Sequence, residues 1–156
     1  MSLAVGDFIP EWVMESVTPE RMCTMAAILR DPNPIHWDRD AVDALPLGLG
    51  KRTINQGPLG LSYIINMLHA WAGPNALRRI VMRFPQVVLD QERVVAKGNI
   101  SALREEHGIT LADCTVWLEH AERGVLLEGI ATVVFPPPKM PELESNFETA
   151  ALKEHE

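Results

Sequence analysis

The sequence predicts an α+β domain in which one long apolar helix lies against a curved antiparallel sheet. Three observations predict it. An uncharged stretch from Pro58 to Trp71 is apolar on almost every side, four strand-like runs crowd the second half, and Ala, Gly and Cys occupy the centre of those strands' inner face. Small residues there let a helix approach a sheet closely. The 156 residues suit one domain, and 47% hydrophobic with 22% charged residues is the balance of a chain that buries a core. The domain is read as residues 1–135, with 136–156 as a tail that begins with three prolines and carries five Glu against two Lys.

Phe8 to Val17 reads as a first strand or edge segment. Thr18-Pro19 fits an N-cap followed by proline at the first helical position, and Met22, Met25, Ala26 and Leu29 recur at helical spacing, so a short helix is expected over Pro19–Leu29. Arg30 to His36 follows as a loop stiffened by Pro32 and Pro34. Asp38 can cap a short helix through Ala44, and Pro46 to Gly50 is a turn-rich connector. The long helix opens at Gly57-Pro58 and closes near Trp71, before Gly73-Pro74; its apolar circumference predicts enclosure on most sides. Strands are expected at about Arg78–Phe84, Arg93–Ser101, Ile109–Glu119 and Val125–Phe135, the last three as a meander. Alternation turns Val94, Ala96, Gly98 and Ile100 inward, then Ala112, Cys114, Val116 and Leu118, then Val125, Leu127, Gly129, Ala131 and Val133.

Several function classes are disfavoured. Fourteen Lys and Arg against 21 Asp and Glu give a net charge of −7, the wrong sign for holding a nucleic-acid backbone. Cys23 and Cys114 have no histidine at a zinc-like interval, so neither a disulfide framework nor a metal is implied. Thr53 to Leu77 is an uncharged window of 25 residues, but Asn, Gln, Gly and Pro interrupt it, which makes it a buried helix rather than a membrane span. No charged-then-apolar leader opens the chain, so a cytoplasmic setting is expected.

Chemistry concentrates in two places. Asp31, Asn33 and His36 share the stiff loop, where a carboxylate and an imidazole can divide the protons of one water between them and Asn33 can orient either group or the substrate. The same residues also suit an ordinary Asx turn with a surface histidine. At Asn55-Gln56-Gly57-Pro58 a helix start exposes amide donors; Pro58 has none, which leaves the Gly57 and Leu59 amides to stabilise an oxyanion. Along that helix Ser62, Asn66 and His69 form a polar stripe that either faces the same cavity or bonds backbone carbonyls.

The run Asp31-Pro32-Asn33-Pro34-Ile35-His36-Trp37-Asp38 resembles the D-x-N-P-[LI]-H-x-D signature of the MaoC-like dehydratases, or (R)-specific enoyl-CoA hydratases, of the hotdog fold. The resemblance covers roughly Pro19 to Phe135. It implies reversible hydration of a trans-2-enoyl-CoA, with Asp31 and His36 as catalytic pair, Gly57 as the amide that binds the thioester carbonyl and Asn33 as an orienting group; beside these, Gln56 at the helix start and Ser62 and Asn66 of the polar stripe are further substrate-binding candidates. No cofactor is implied beyond the coenzyme A that carries the substrate. It further implies a homodimer, a higher oligomer or pairing with a second hotdog subunit. Two departures stand out: Leu29-Arg30 where family members commonly carry Ser-Gly, and Gln56 where many carry His. The stretch Trp71 to Leu77 is similar to members that act in actinobacterial steroid or aromatic side-chain breakdown, and fatty-acid metabolism is the other setting implied. A hotdog thioesterase is the second enzyme reading, disfavoured because Pro58 to Trp71 holds no Asp or Glu. A subunit completing a heteromeric hydratase is the third. The coenzyme's phosphates call for a local basic site, for which Lys51-Arg52 and Arg78-Arg79 are candidates.

Overall fold

The computed structural model describes residues 3–135; the tail expected at 136–156 lies outside the described residues. Its elements run β1 (Phe8–Met14), α1 (Pro19–Leu29), a 3-10 turn (Pro34–His36), α2 (Arg39–Asp43), α3 (Gly57–Ala72), β2 (Leu77–Arg83), β3 (Val94–Glu106), β4 (Ile109–His120) and β5 (Gly124–Phe135). The five strands make one antiparallel sheet in the order β1-β3-β4-β5-β2. Helix α3 touches all five of them, as it can only if the sheet bends around it. This is the hotdog arrangement.

The boundaries follow local chemistry. Thr18 accepts from the Arg21 amide at the start of α1, Asp38 accepts from Asp40 and Ala41 at the start of α2, and Pro58 occupies the first turn of α3. On the sheet's inner face Ala96, Gly98, Ala112, Cys114 and Ala131 leave room for Tyr63, Ile64, Met67 and Leu68 of the helix, and all of these helix residues are fully buried. Burial pushes the Cys114 thiol and the Tyr63 hydroxyl each up to about 12, and Trp12 of β1 stacks on Tyr63 with ring centres 5.7 Å apart.

Two expectations need correction. Val125 is exposed and Leu126 is buried in its place, because a bulge slips the β4–β5 register between Leu118 and Glu119 and reverses the alternation beyond it. Helix α3 is also less enclosed than its composition suggests: Pro58, Asn66 and Ala70 are exposed and Leu61 and Ile65 half-buried, which leaves one stripe of the helix open.

Candidate active site

The site begins where α1 ends. Arg30 adopts the left-handed conformation, φ 53°, and its N–H returns to the Ala26 and Ala27 carbonyls, turning the chain sharply. Gly adopts this conformation at no cost, which gives the glycine common at this point of the family signature a physical reason. Past the turn, Asp31 Oδ1 accepts from the Asn33 amide at 3.0 Å, and Asn33 Oδ1 accepts from the Ile35 amide at 3.3 Å, capping the 3-10 turn that carries His36. One oxygen of Asp31 therefore builds the loop while the other, Oδ2, lies 3.4 Å from His36 Nε2.

His36 is not a surface side chain. It is buried, and its Nδ1 sits 2.6 Å from the Ile54 carbonyl oxygen. A carbonyl only accepts, so Nδ1 carries hydrogen and Nε2 is left as the nitrogen that can gain or lose a proton. Asp31 keeps about a third of its side chain in contact with solvent, so water can reach the pair.

His36 also lines a cavity of about 290 Å³ together with Gln56, Gly57, Phe84, Val88 and Leu127. Among the described residues no Asp, Glu, Lys or Arg lines it. The Gly57 amide, in the first turn of α3, has no partner within the helix, and Pro58 has no amide hydrogen at all. Leu59, the other amide expected from sequence, is buried and does not line the cavity. A Cβ at position 57 would lie 3.4 Å from the Phe84 ring, so glycine keeps that approach open. Gln56 borders the same cavity, but its Nε2 donates to the Met22 carbonyl at 2.9 Å, tying the start of α3 to α1.

Other expected site residues lie elsewhere. Ser62 donates to the Leu59 carbonyl of its own helix at 2.6 Å, and Asn66 is exposed; neither borders the cavity, because Gly57 and Gly60 present a different side of the helix to it. The Asn33 Oδ1 is committed to the loop. Of the two basic pairs, Lys51 is bonded to Asp40, and Arg52 is drawn to the buried Asp90 and Glu92, so neither is a free cation. Arg78 and Arg79 are exposed and make no ion pair among the described residues.

Sequence reasoning missed the far cavity wall, Phe84 to Val88, although Pro85 marks the point where β2 must stop and leave its sheet. Buried Asp90 and Glu92 were missed as well, since loop carboxylates are ordinarily solvated.

The model of the MaoC-like domain matches residues 11–116, a stretch that contains Asp31, His36 and Gly57. The chain belongs to the MaoC-like domain family. No curated protein matches it by sequence. Among solved structures, this MaoC-like chain is similar to the (R)-hydratase PhaJ1 of Pseudomonas aeruginosa, at 18% identity and TM-score 0.75, covering 90% of each chain. It is also similar to the (R)-hydratase of A. caviae involved in PHA biosynthesis, at 23% identity and TM-score 0.73, covering 90% of this chain and 99% of that one. A third likeness is to the ChsH1-ChsH2 complex of Mycobacterium tuberculosis, at 20% identity and TM-score 0.71, covering 85% of this chain and 98% of that one. At these identities the likenesses establish the hotdog fold. Among the described residues no helix is long and apolar enough to cross a membrane, and no group of three or more His, Cys, Asp and Glu could hold a metal.

Proposed function

We propose that the protein is a hydro-lyase adding water reversibly to a trans-2-enoyl-CoA to give a 3-hydroxyacyl-CoA of the R series. The observation that carries this reading is the placement of Asp31 Oδ2 3.4 Å from His36 Nε2, beside an uncharged cavity that starts at the Gly57 amide. A thioester carbonyl oxygen at the Gly57 N–H draws electron density from the double bond and makes Cβ electrophilic. Water held between the carboxylate and Nε2 attacks Cβ as one of the pair takes its proton. The resulting enolate carries its charge on the oxygen facing Gly57. The other partner supplies a proton to Cα, so one water is added across the bond. Because Nδ1–H is committed to Ile54, His36 exchanges its proton at Nε2.

The cavity accepts the acyl end, and the charged handle of the coenzyme stays outside, where the exposed Arg78 and Arg79 are the remaining basic candidates. The reaction as written uses no resident cofactor. In this reading two hotdog units pair, as a homodimer or with a related subunit, and work in the cytoplasm on fatty-acyl or steroid side-chain thioesters. The hydrolase alternative lacks a carboxylate on α3 to carry it.

Incubating the purified chain with crotonyl-CoA and bulkier enoyl-CoA thioesters tests the proposal. Loss of enoyl absorbance without release of free thiol is expected. Thiol release from saturated acyl-CoA with no hydration would support the thioesterase reading instead.

A further inference from the structure

Two carboxylates lie almost wholly buried behind the site: Asp90 and Glu92, with side chains 1% and 2% exposed, in the segment between β2 and β3. Buried carboxylates persist only when paired. Arg39 of α2, three residues past His36, grips Asp90 Oδ2 and also donates to the Lys51 carbonyl at 3.3 Å. Arg52 reaches both carboxylates, each at 3.6 Å, and donates to the Asp90 carbonyl at 2.6 Å. Arg123, from the β4–β5 turn, lies 2.6 Å from Glu92 Oε2, which also accepts from the Leu89 amide. Backbone bonds follow the same path. The Asp90 amide donates to the Thr53 carbonyl, the Asn55 amide to the Val88 carbonyl, and the Ile54 amide to the Ile35 carbonyl beside His36.

The short segment Thr53–Asn55 is therefore held between the catalytic loop on one side and the Val88–Asp90 segment on the other. It supplies the Ile54 carbonyl that fixes His36 Nδ1–H, and it runs directly into Gly57. We infer that Asp90 is a positioning residue: through Arg39 and Arg52 it anchors the His36 loop and the start of α3 to one buried charge, fixing the imidazole tautomer and the distance between the acid–base pair and the oxyanion amide. This inference deepens the hydratase reading and rests on it.

Asp90→Asn is the test. Arg39 and Arg52 keep 44% and 43% of their side chains exposed, so water can solvate them once the charge is gone and the fold can survive. A displacement near 1 Å at a reacting group costs about a hundredfold in rate, so a fall in kcat of roughly ten- to a hundredfold is expected, with KM changed about threefold or less. In nitrogen-resolved NMR, the imidazole signal absent from His36→Ala should report a fixed Nδ1–H tautomer in the parent chain and a mixture in Asp90→Asn. Asp40→Asn, which removes an exposed ion pair, should change neither. An Asp90→Asn chain with unchanged kcat and imidazole signals would overturn the inference, as would one that loses only thermal stability. Should that variant not fold, Arg52→Gln reads the same anchor while leaving Asp90 paired to Arg39. A parent chain inactive toward every enoyl thioester, yet with a tautomer released by Asp90→Asn, would reject the hydratase reading and keep the anchor.

Discussion

In the proposed hydration Asp31 acts on a water because its two oxygens have separate duties. Oδ1 holds the turn through the Asn33 amide, and Oδ2 is left facing His36. The motif states which residues stand there, and the hydrogen bonds show why Asn belongs at position 33: its side chain caps the turn that aims the histidine. Single-residue changes separate loop geometry from chemistry. Arg30 sits at φ 53°, where a side chain is strained by about 1–2 kcal/mol, so Arg30→Gly should raise stability by about 1 kcal/mol. At this chain length the melting temperature should rise by roughly 2–4 °C; a fall would show that the Arg30 side chain contributes contacts worth more than the strain. Gly57→Ala should leave stability nearly unchanged, since its Cβ meets Phe84 at an ordinary 3.4 Å, yet place a methyl group beside the amide proposed to hold the oxyanion. A drop in kcat of about tenfold or more is expected, less than the roughly 10²–10³-fold cost of losing an oxyanion donor outright, because the amide itself remains. Unaltered turnover would move the carbonyl site away from the helix start.

The elements that carry the site were legible in sequence to differing degrees. Helix α1 spans the stretch Pro19–Leu29 expected from its cap, its first-turn proline and its apolar spacing, because all three signals are local. The meander β3–β5 was readable from period-two alternation until the bulge, where one unpaired residue exchanged Val125 for Leu126. Alternation cannot announce a bulge. The polar stripe on α3 leaves two readings open in sequence for a related reason: helical spacing tells which residues share a face, and only the packing of the sheet tells which face meets the cavity. The sheet also constrains β2. Gly129 of β5 lies so near this edge strand that a Cβ there would fall on the Val81 carbonyl oxygen and come within 2.9 Å of Met82 Cα. Gly129→Ala should therefore cost at least about 1–3 kcal/mol in denaturant unfolding, because the obstruction is backbone and cannot swing aside. A neutral result would mean that β2 does not cross β5 so closely.

The described residues form one hotdog unit with both sheet edges, β1 and β2, unpaired among them, and with a partly apolar stripe of α3 open beside Leu61 and Ile65. One unit wraps its helix incompletely, which is the physical argument for pairing. The purified chain is predicted to have a solution mass of twice one chain, measured by light scattering; a monomer active on enoyl-CoA would contradict the dimeric reading. Part of the −7 net charge is internal, in Asp90 and Glu92, and of the arginines that balance it, Arg39, Arg52 and Arg123, only Arg52 belongs to a pair expected to meet phosphate. Composition cannot distinguish a solvated carboxylate from an anchored one, and this is why the network behind the site was invisible while the Asp31–His36 motif was plain.

At that same scale, the central claim is that Asp31 and His36 together move the protons of water onto an enoyl thioester. Initial rates of crotonyl-CoA hydration by the parent chain, Asp31→Asn and His36→Ala, each verified as folded, test it most directly. Each substitution should lower kcat by about 10²–10⁴-fold. Hydration at the parental rate in either folded variant would contradict it.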